Sequence, residues 1–135
     1  MKFDGKVLLV DDEAHVRKFV GLIVRGLGEP TLLEATNGRE AVEIYQRESP
    51  DLVLLDVNMP ILDGLGTLRE IMAIDPEAVI VMLTSLANRQ TVEEALERGA
   101  TNYIRKDTPR DEIKKSLSDT INAVFGSEES ADAAI

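Results

Sequence analysis

Five short apolar runs, at Val7–Val10, Thr31–Glu34, Leu52–Leu55, Val79–Leu83 and Thr101–Ile104, are separated by stretches whose apolar residues return every three or four positions. This alternation constrains the fold more than any other feature. Each run reads as a strand, and each intervening stretch as a helix able to cover it, the pattern of repeated βα units on a parallel sheet. Leu52–Leu55 and Val79–Leu83 are continuous rather than alternating, as expected of strands covered on both faces. Thr31–Glu34 is weaker and is expected at an edge. Five βα units in about 125 residues are too few for a closed eight-stranded barrel, so an open, doubly wound, five-stranded α/β sheet follows.

The helical stretches carry their own punctuation. After Asp12 the stripe Val16, Phe19, Val20, Ile23, Val24, Leu27 predicts a helix ended by Gly28 and Pro30. A second runs from an Asn37 cap through Ala41, Val42 and Tyr45 to Ser49-Pro50. The third uses Leu65, Leu68 and Met72 and gives way at Asp75-Pro76. The fourth, from Asn88 to Arg98, has only Val92, Ala95 and Leu96 to bury and is expected to be the most loosely held. The fifth begins near Pro109 and buries Ile113, Leu117, Ile121 and Val124.

Length and charge narrow the function. A chain of 135 residues with 44% hydrophobic content forms one domain with a proper core, expected over residues 1–125. The remainder, "GSEESADAAI" at 126–135, is small, polar and acidic without apolar period, and reads as a disordered tail. A net charge of −10 argues against direct nucleic-acid binding. The start, "MKFDGKVLLVDDE", is neither a secretory signal nor a membrane span, and the absence of cysteine agrees with a reducing compartment, so a cytoplasmic protein without membrane association is expected.

In open α/β sheets ligands sit beyond the carboxyl ends of the strands. The residues found there are Asp11 and Asp12 after the first run, Asp56 after the third, Thr84 and Ser85 after the fourth, and Lys106 after the fifth. Singly, most have ordinary explanations: Asp12 as a helix cap, Thr84 as a turn residue, Lys106 as a solvated lysine. Asp56 is harder to explain that way, because a carboxylate attached to a buried strand loses solvation and needs a cation to stay ionised. Asp11, Asp12 and Asp56 together form an oxygen-only set suited to Mg2+, with the Asn58 backbone carbonyl and waters completing the shell. A divalent cation, the Lys106 ammonium and the Thr84 hydroxyl would each serve one oxygen of a phosphoryl group, with Asp56 as its nucleophile.

These residues, within "KVLLVDDE", "PDLVLLDVNMPILDG", "VIVMLTS" and "GATNYIRK", resemble the receiver domain of two-component response regulators, in particular its small stand-alone, chemotaxis-regulator-like members. The resemblance covers nearly the whole chain. It implies a flavodoxin-like fold, (βα)5, with strand order 2-1-3-4-5. It also implies Asp56 as phosphoacceptor, Asp11 and Asp12 as Mg2+ carboxylates, Thr84 and Tyr103 as a coupled switch, and Lys106 as the phosphate-binding lysine. The implied partners are a histidine kinase or histidine phosphotransfer protein as donor and a downstream protein target or separate output domain as reader, reached through the face of helix 4, strand 5 and helix 5. Such a domain is a switch catalysing only its own phosphoryl transfer and loss, a monomer or weak dimer.

This chain departs from the family at several points. Lys106 is followed by Asp107-Thr108-Pro109 where the family usually has proline directly, Ser85 stands where alanine is common, and Asn58 and Leu86 occupy positions that tune dephosphorylation. Three other functions fit these residues less well. A haloacid-dehalogenase-type phosphatase would want an acid where Asn58 stands, and a cap domain for which there is no room. A flavin-binding domain would want a phosphate loop after Val10, where the acids stand. A receiver-like interaction module that no longer uses phosphorylation would have no need of the acids, the hydroxyl and the lysine together. The sequence leaves open whether the chain acts alone or belongs to a longer protein.

Overall fold

The computed structural model describes residues 3–59, 61–85 and 89–126. Five strands alternate with five helices: β1 (Lys6–Val10), α1 (Ala14–Arg25), β2 (Thr31–Ala35), α2 (Gly38–Glu48), β3 (Leu52–Asp56), α3 (Gly64–Ile74), β4 (Ile80–Thr84), α4 (Arg89–Glu97), β5 (Asn102–Arg105) and α5 (Arg110–Phe125). All pairings are parallel and the order is β2-β1-β3-β4-β5. Each strand lies within a residue of its apolar run.

Successive side chains of a strand point to opposite faces, and the two cores follow from that. Leu8, Val10, Val53, Leu55, Ile80 and Met82 face α2, α3 and α4, while Val7, Leu9, Leu52, Leu54, Val81 and Leu83 face α1 and α5. This is why β3 and β4 are apolar up to their last residues, Asp56 and Thr84: no position in either is solvent-facing. At the edges the cover thins, and β5 buries only Ile104.

The expected Asn37 cap forms, and a cap not foreseen in the sequence forms at Asp63. Asn37 Oδ1 accepts from the Glu40 N–H at 2.9 Å, and Ser49 ends α2 in the left-handed region at φ 47°. Asp63 Oδ1 caps α3 by accepting from the Gly66 N–H at 2.8 Å. Pro109 stands just outside α5 as its N-cap residue, one position before the first helical turn expected of it. Asp12 is not a cap: Glu13 occupies that position at α1, without a side-chain bond.

Three expected core residues are largely at the surface: Phe19 is 40% exposed, Leu96 44% and Val124 38%. The helical stripe spans a wider arc than the sheet can cover, so residues at its margins stay in water. On α4 that leaves Ala95 as the buried residue among those described. Asn88, Leu86, Pro60 and the tail from residue 127 onward lie outside the described residues. No helix among the described residues is long and apolar enough to cross a membrane.

Candidate functional site

Because the strands are parallel and in register, their carboxyl ends arrive at one edge together. Asp56 is the last residue of β3 and pairs with Leu83; Thr84 is the last of β4 and pairs with Arg105. The ladders continue one step further. Asp11 N–H donates to the Ala35 carbonyl at 3.1 Å, Val57 N–H to Leu83 at 3.2 Å, and Lys106 N–H to Thr84 at 2.8 Å. The backbone carrying each polar side chain is thus tied to the sheet. Asp11, Asp56 and Thr84 are buried and Asp12 is exposed at the rim.

Carboxylate oxygens of Asp11, Asp12 and Asp56 lie within 4.8 Å of one another. The Lys106 ammonium reaches over the two buried ones, 2.6 Å from Asp11 Oδ2 and 2.9 Å from Asp56 Oδ1. Burial pushes the Asp56 carboxyl above its usual range; Lys106 and the Asn58 N–H pull it back, Asp11 pushes it further up, and the net direction is upward. For Lys106, burial alone would favour the neutral amine, but Asp11 and Asp56 outweigh it and hold the ammonium charged.

Asp11 Oδ2 distinguishes charge contact from hydrogen bonding. Although it touches Lys106 at 2.6 Å, it has no hydrogen bond of acceptable direction, so its contact is an ion pair with unused acceptor capacity. An under-satisfied buried oxygen beside two further carboxylates fits a hard divalent cation, and the absence of nitrogen or sulfur donors from this set of three fits Mg2+. The other oxygen, Oδ1, accepts from the Glu13 N–H at 2.9 Å and is fixed by it.

Several supporting residues escaped the sequence reading. Arg17 on α1 donates through Nη1 to the Asp11 carbonyl at 2.7 Å and through Nε to Glu34 Oε1 of β2 at 2.9 Å. Arg17 thus ties the edge strand to the backbone of Asp11. Gly64 opens α3 directly against β3, where a Cβ would collide with the Asp56 carbonyl and Val57 Cα. The i, i+3 spacing of Asn37 to Glu40 could be read locally; nothing in the sequence signals the long-range contacts of Arg17 and Gly64.

At the departures from the family pattern, Asp107 binds Arg105 through two contacts, Nε to Oδ1 at 3.0 Å and Nη2 to Oδ2 at 2.6 Å. Its charge is spent on Arg105. Asn58 addresses Asp56 with its N–H, at a long 3.4 Å to Oδ1. Tyr103 is 39% exposed on β5, outside the cluster of acids and lysine.

Comparison with known proteins agrees with this arrangement. Residues 7–118 match the sequence model of the response regulator receiver domain. The chain is 37% identical over 117 residues to the chemotaxis protein CheY of Bacillus subtilis, covering 87% of this chain and 98% of the relative. It is 38% identical over 113 residues to CheY of Thermotoga maritima, covering 84% and 94%. Among solved structures, it is similar to a chain of the CheX-CheY-BeF3-Mg+2 complex from Borrelia burgdorferi, with a TM-score of 0.80, 32% identity and coverage of 89% and 88%. With the five-stranded order, the acid cluster at its carboxyl edge and these relatives in agreement, the chain belongs to the response regulator receiver domains of two-component signal transduction.

Proposed function

We propose that Asp56 is the phosphoacceptor of this receiver and that the protein is a switch set by its phosphorylation. The observation that carries this is the convergence of Lys106 on Asp11 and Asp56, at 2.6 and 2.9 Å, at the end of a wholly buried strand. A carboxylate placed there at the cost of its solvation is held in one position, beside a cation that can follow a phosphoryl oxygen.

In the transfer, an Asp56 carboxylate oxygen attacks the phosphorus of a phosphohistidine on a sensor kinase or phosphotransfer protein. The P–N bond breaks, a P–O bond forms, and the imidazole leaves with the electron pair. Lys106 releases part of its contact with Asp56 and donates to a phosphoryl oxygen, while retaining Asp11. Thr84, one strand over, supplies a hydroxyl to another oxygen. Asp11, Asp12, Asp56 and the Asn58 carbonyl would hold Mg2+, which when bound neutralises the charge of the incoming group. The similar Borrelia burgdorferi complex contains Mg+2, in support of this donor set.

The readout follows from position. Thr84 and Tyr103 lie on adjacent strands, β4 and β5, and Tyr103 stands outside the core. Movement of Thr84 toward the phosphoryl group opens space into which Tyr103 turns, altering the surface formed by α4, β5 and α5 that a downstream protein reads.

The test is intact-mass analysis after incubation with acetyl phosphate, with and without Mg2+, on wild type and Asp56→Asn. One phosphoryl adduct that needs Mg2+ and is absent from the variant is expected. An adduct that persists in Asp56→Asn, or none in the wild type, would sink the reading.

A further inference from the structure

The groove between α1 and the edge strand β2 has no role in phosphoryl transfer, and its chemistry is unlike the rest of this acidic protein. It encloses about 470 Å3 and is lined by Leu9, Leu32 and Glu34 from the sheet and by α1 residues including Lys18, Leu22 and Arg25. It exists because Gly21 presents no side chain toward Leu9 and Leu32, and because β2 is the last strand on that side.

Lys18, Leu22 and Arg25 fall at i, i+4 and i+7, so they form one continuous stripe along α1. All three are exposed, Leu22 at 53%. Among the described residues Lys18 and Arg25 have no ion-pair partner, whereas the groove's only acid, Glu34, is engaged by Arg17 at 2.9 Å. The groove therefore offers two unpaired cations flanking an apolar side chain, on a chain of net charge −10.

The chain itself carries a segment with the complementary pattern. Residues 127–135, "SEESADAAI", place Glu128 and Glu129 on one side of Ala131 and Asp132 on the other. Their point of departure is close to the groove. The Phe125 ring at the end of α5 lies 5.7 Å from Phe3, and the Phe3 N–H donates to the carbonyl of Leu27, two residues beyond Arg25. Nine extended residues reach about 30 Å, against a length of about 18 Å for a twelve-residue helix. Spacing agrees as well. Lys18 and Arg25 are separated by about 11 Å along the helix axis, and Glu128 and Asp132 by about 13 Å of extended chain.

We propose that the acidic segment 127–135 docks on its own domain in the α1/β2 groove, with Glu128 and Glu129 toward Arg25, Asp132 toward Lys18, and Ala131 between them against Leu22. Tethering supplies an effective concentration in the millimolar range, so weak pairwise attraction is enough to populate the docked form. The docked segment covers the outer face of α1 and leaves the carboxyl edge of the sheet open. It also neutralises a basic stripe that would otherwise attract acidic partners. The attraction lies between exposed charges and is screened by salt.

The chain contains no cysteine, so a nitroxide can be placed at a single site through Ala133→Cys. Amide spectra of the labelled, isotope-enriched protein at low salt are expected to lose about half or more of their intensity along Lys18–Arg25 and Leu32–Glu34, and to recover at about 0.5 M salt. The loss is expected to vanish in Lys18→Glu/Arg25→Glu. It is also expected to vanish when Glu128, Glu129 and Asp132 are changed to Lys, substitutions that leave every described residue of the domain unchanged. Attenuation that is absent, that spreads evenly over the surface, or that survives the charge reversals overturns the proposal. So does attenuation appearing only between labelled and enriched molecules mixed together, which would make a second copy the occupant. None of these readouts depends on Asp56 or on phosphorylation.

Discussion

The Nζ of Lys106 lies 2.9 Å from Asp56 Oδ1 while also contacting Asp11 at 2.6 Å, so one ammonium serves two buried carboxylates. The arrangement is short of positive charge. In the absence of a divalent cation, Asp56→Asn is therefore expected to stabilise the fold at neutral pH by on the order of 1 kcal/mol, and Lys106→Met to destabilise it by about 3 kcal/mol. Thermal melts without divalent ions check both signs. The pH dependence follows from the raised Asp56 carboxyl: the folded state holds that proton more tightly, so Asp56 weakens the fold once pH rises through its folded pKa. The advantage of Asn should be full above the folded pKa and shrink on acidification from there toward the ordinary carboxylate value.

Mg2+ should oppose the same repulsion. Ligand at about one hundred times its dissociation constant adds about 2.7 kcal/mol of stability to a protein that binds it only when folded. Wild type is expected to show a rise in Tm with Mg2+ concentration, and Asp11→Asn or Asp12→Asn to need far more metal for the same rise. An equal response in all three proteins would remove the acid cluster as the metal's seat.

Gly64 sets how closely α3 can approach the acceptor strand. A methyl group there would meet the Asp56 carbonyl and the Val57 backbone, neither of which can move without shifting β3. Gly64→Ala is expected to cost about 2 kcal/mol or more, in the range of overpacked sites, and to slow phosphorylation by acetyl phosphate. Leu65→Ala, one residue on and only half-buried, is the comparison that should leave the phosphorylation rate near wild type.

Tyr45 gives an alkaline signature remote from the site. Its buried hydroxyl donates to Asp75 Oδ2 at 2.8 Å, and burial followed by that carboxylate raises the phenol well above its usual range. The folded state thus keeps a proton that the unfolded chain loses near the ordinary tyrosine pKa of about 10. Stability should fall with rising pH from there upward, and Tyr45→Phe should flatten that part of the curve in denaturant titrations at successive pH values. The same substitution removes a hydrogen bond and should cost about 1 kcal/mol at neutral pH.

Much of the site was legible in the sequence because it lies where periodicities change. Asp11, Asp12, Asp56, Thr84 and Lys106 each follow an apolar run, and in a parallel sheet the end of every run falls on one edge. The resemblance supplied the strand order, which periodicity alone does not. Exposure at the margins was less legible: Phe19 and Val124 belong to the helical stripe yet stand largely in water, because the width of a stripe does not state how much of it the sheet will cover.

The parts legible along the chain were local in origin: five βα units, the cap at Asn37, and the residues delivered to each strand end. Which groups meet across long separations is set by the packing of the elements. Lys106 shared between Asp11 and Asp56, Arg17 clamped between Asp11 and Glu34, Gly64 against Asp56, and the open groove beside β2 all depend on how helices settle on the sheet. The reason is physical. Hydrogen-bonded periodicity is set by neighbours a few residues away, whereas a contact between distant residues exists only after burial has fixed the distance and angle between the elements that carry them.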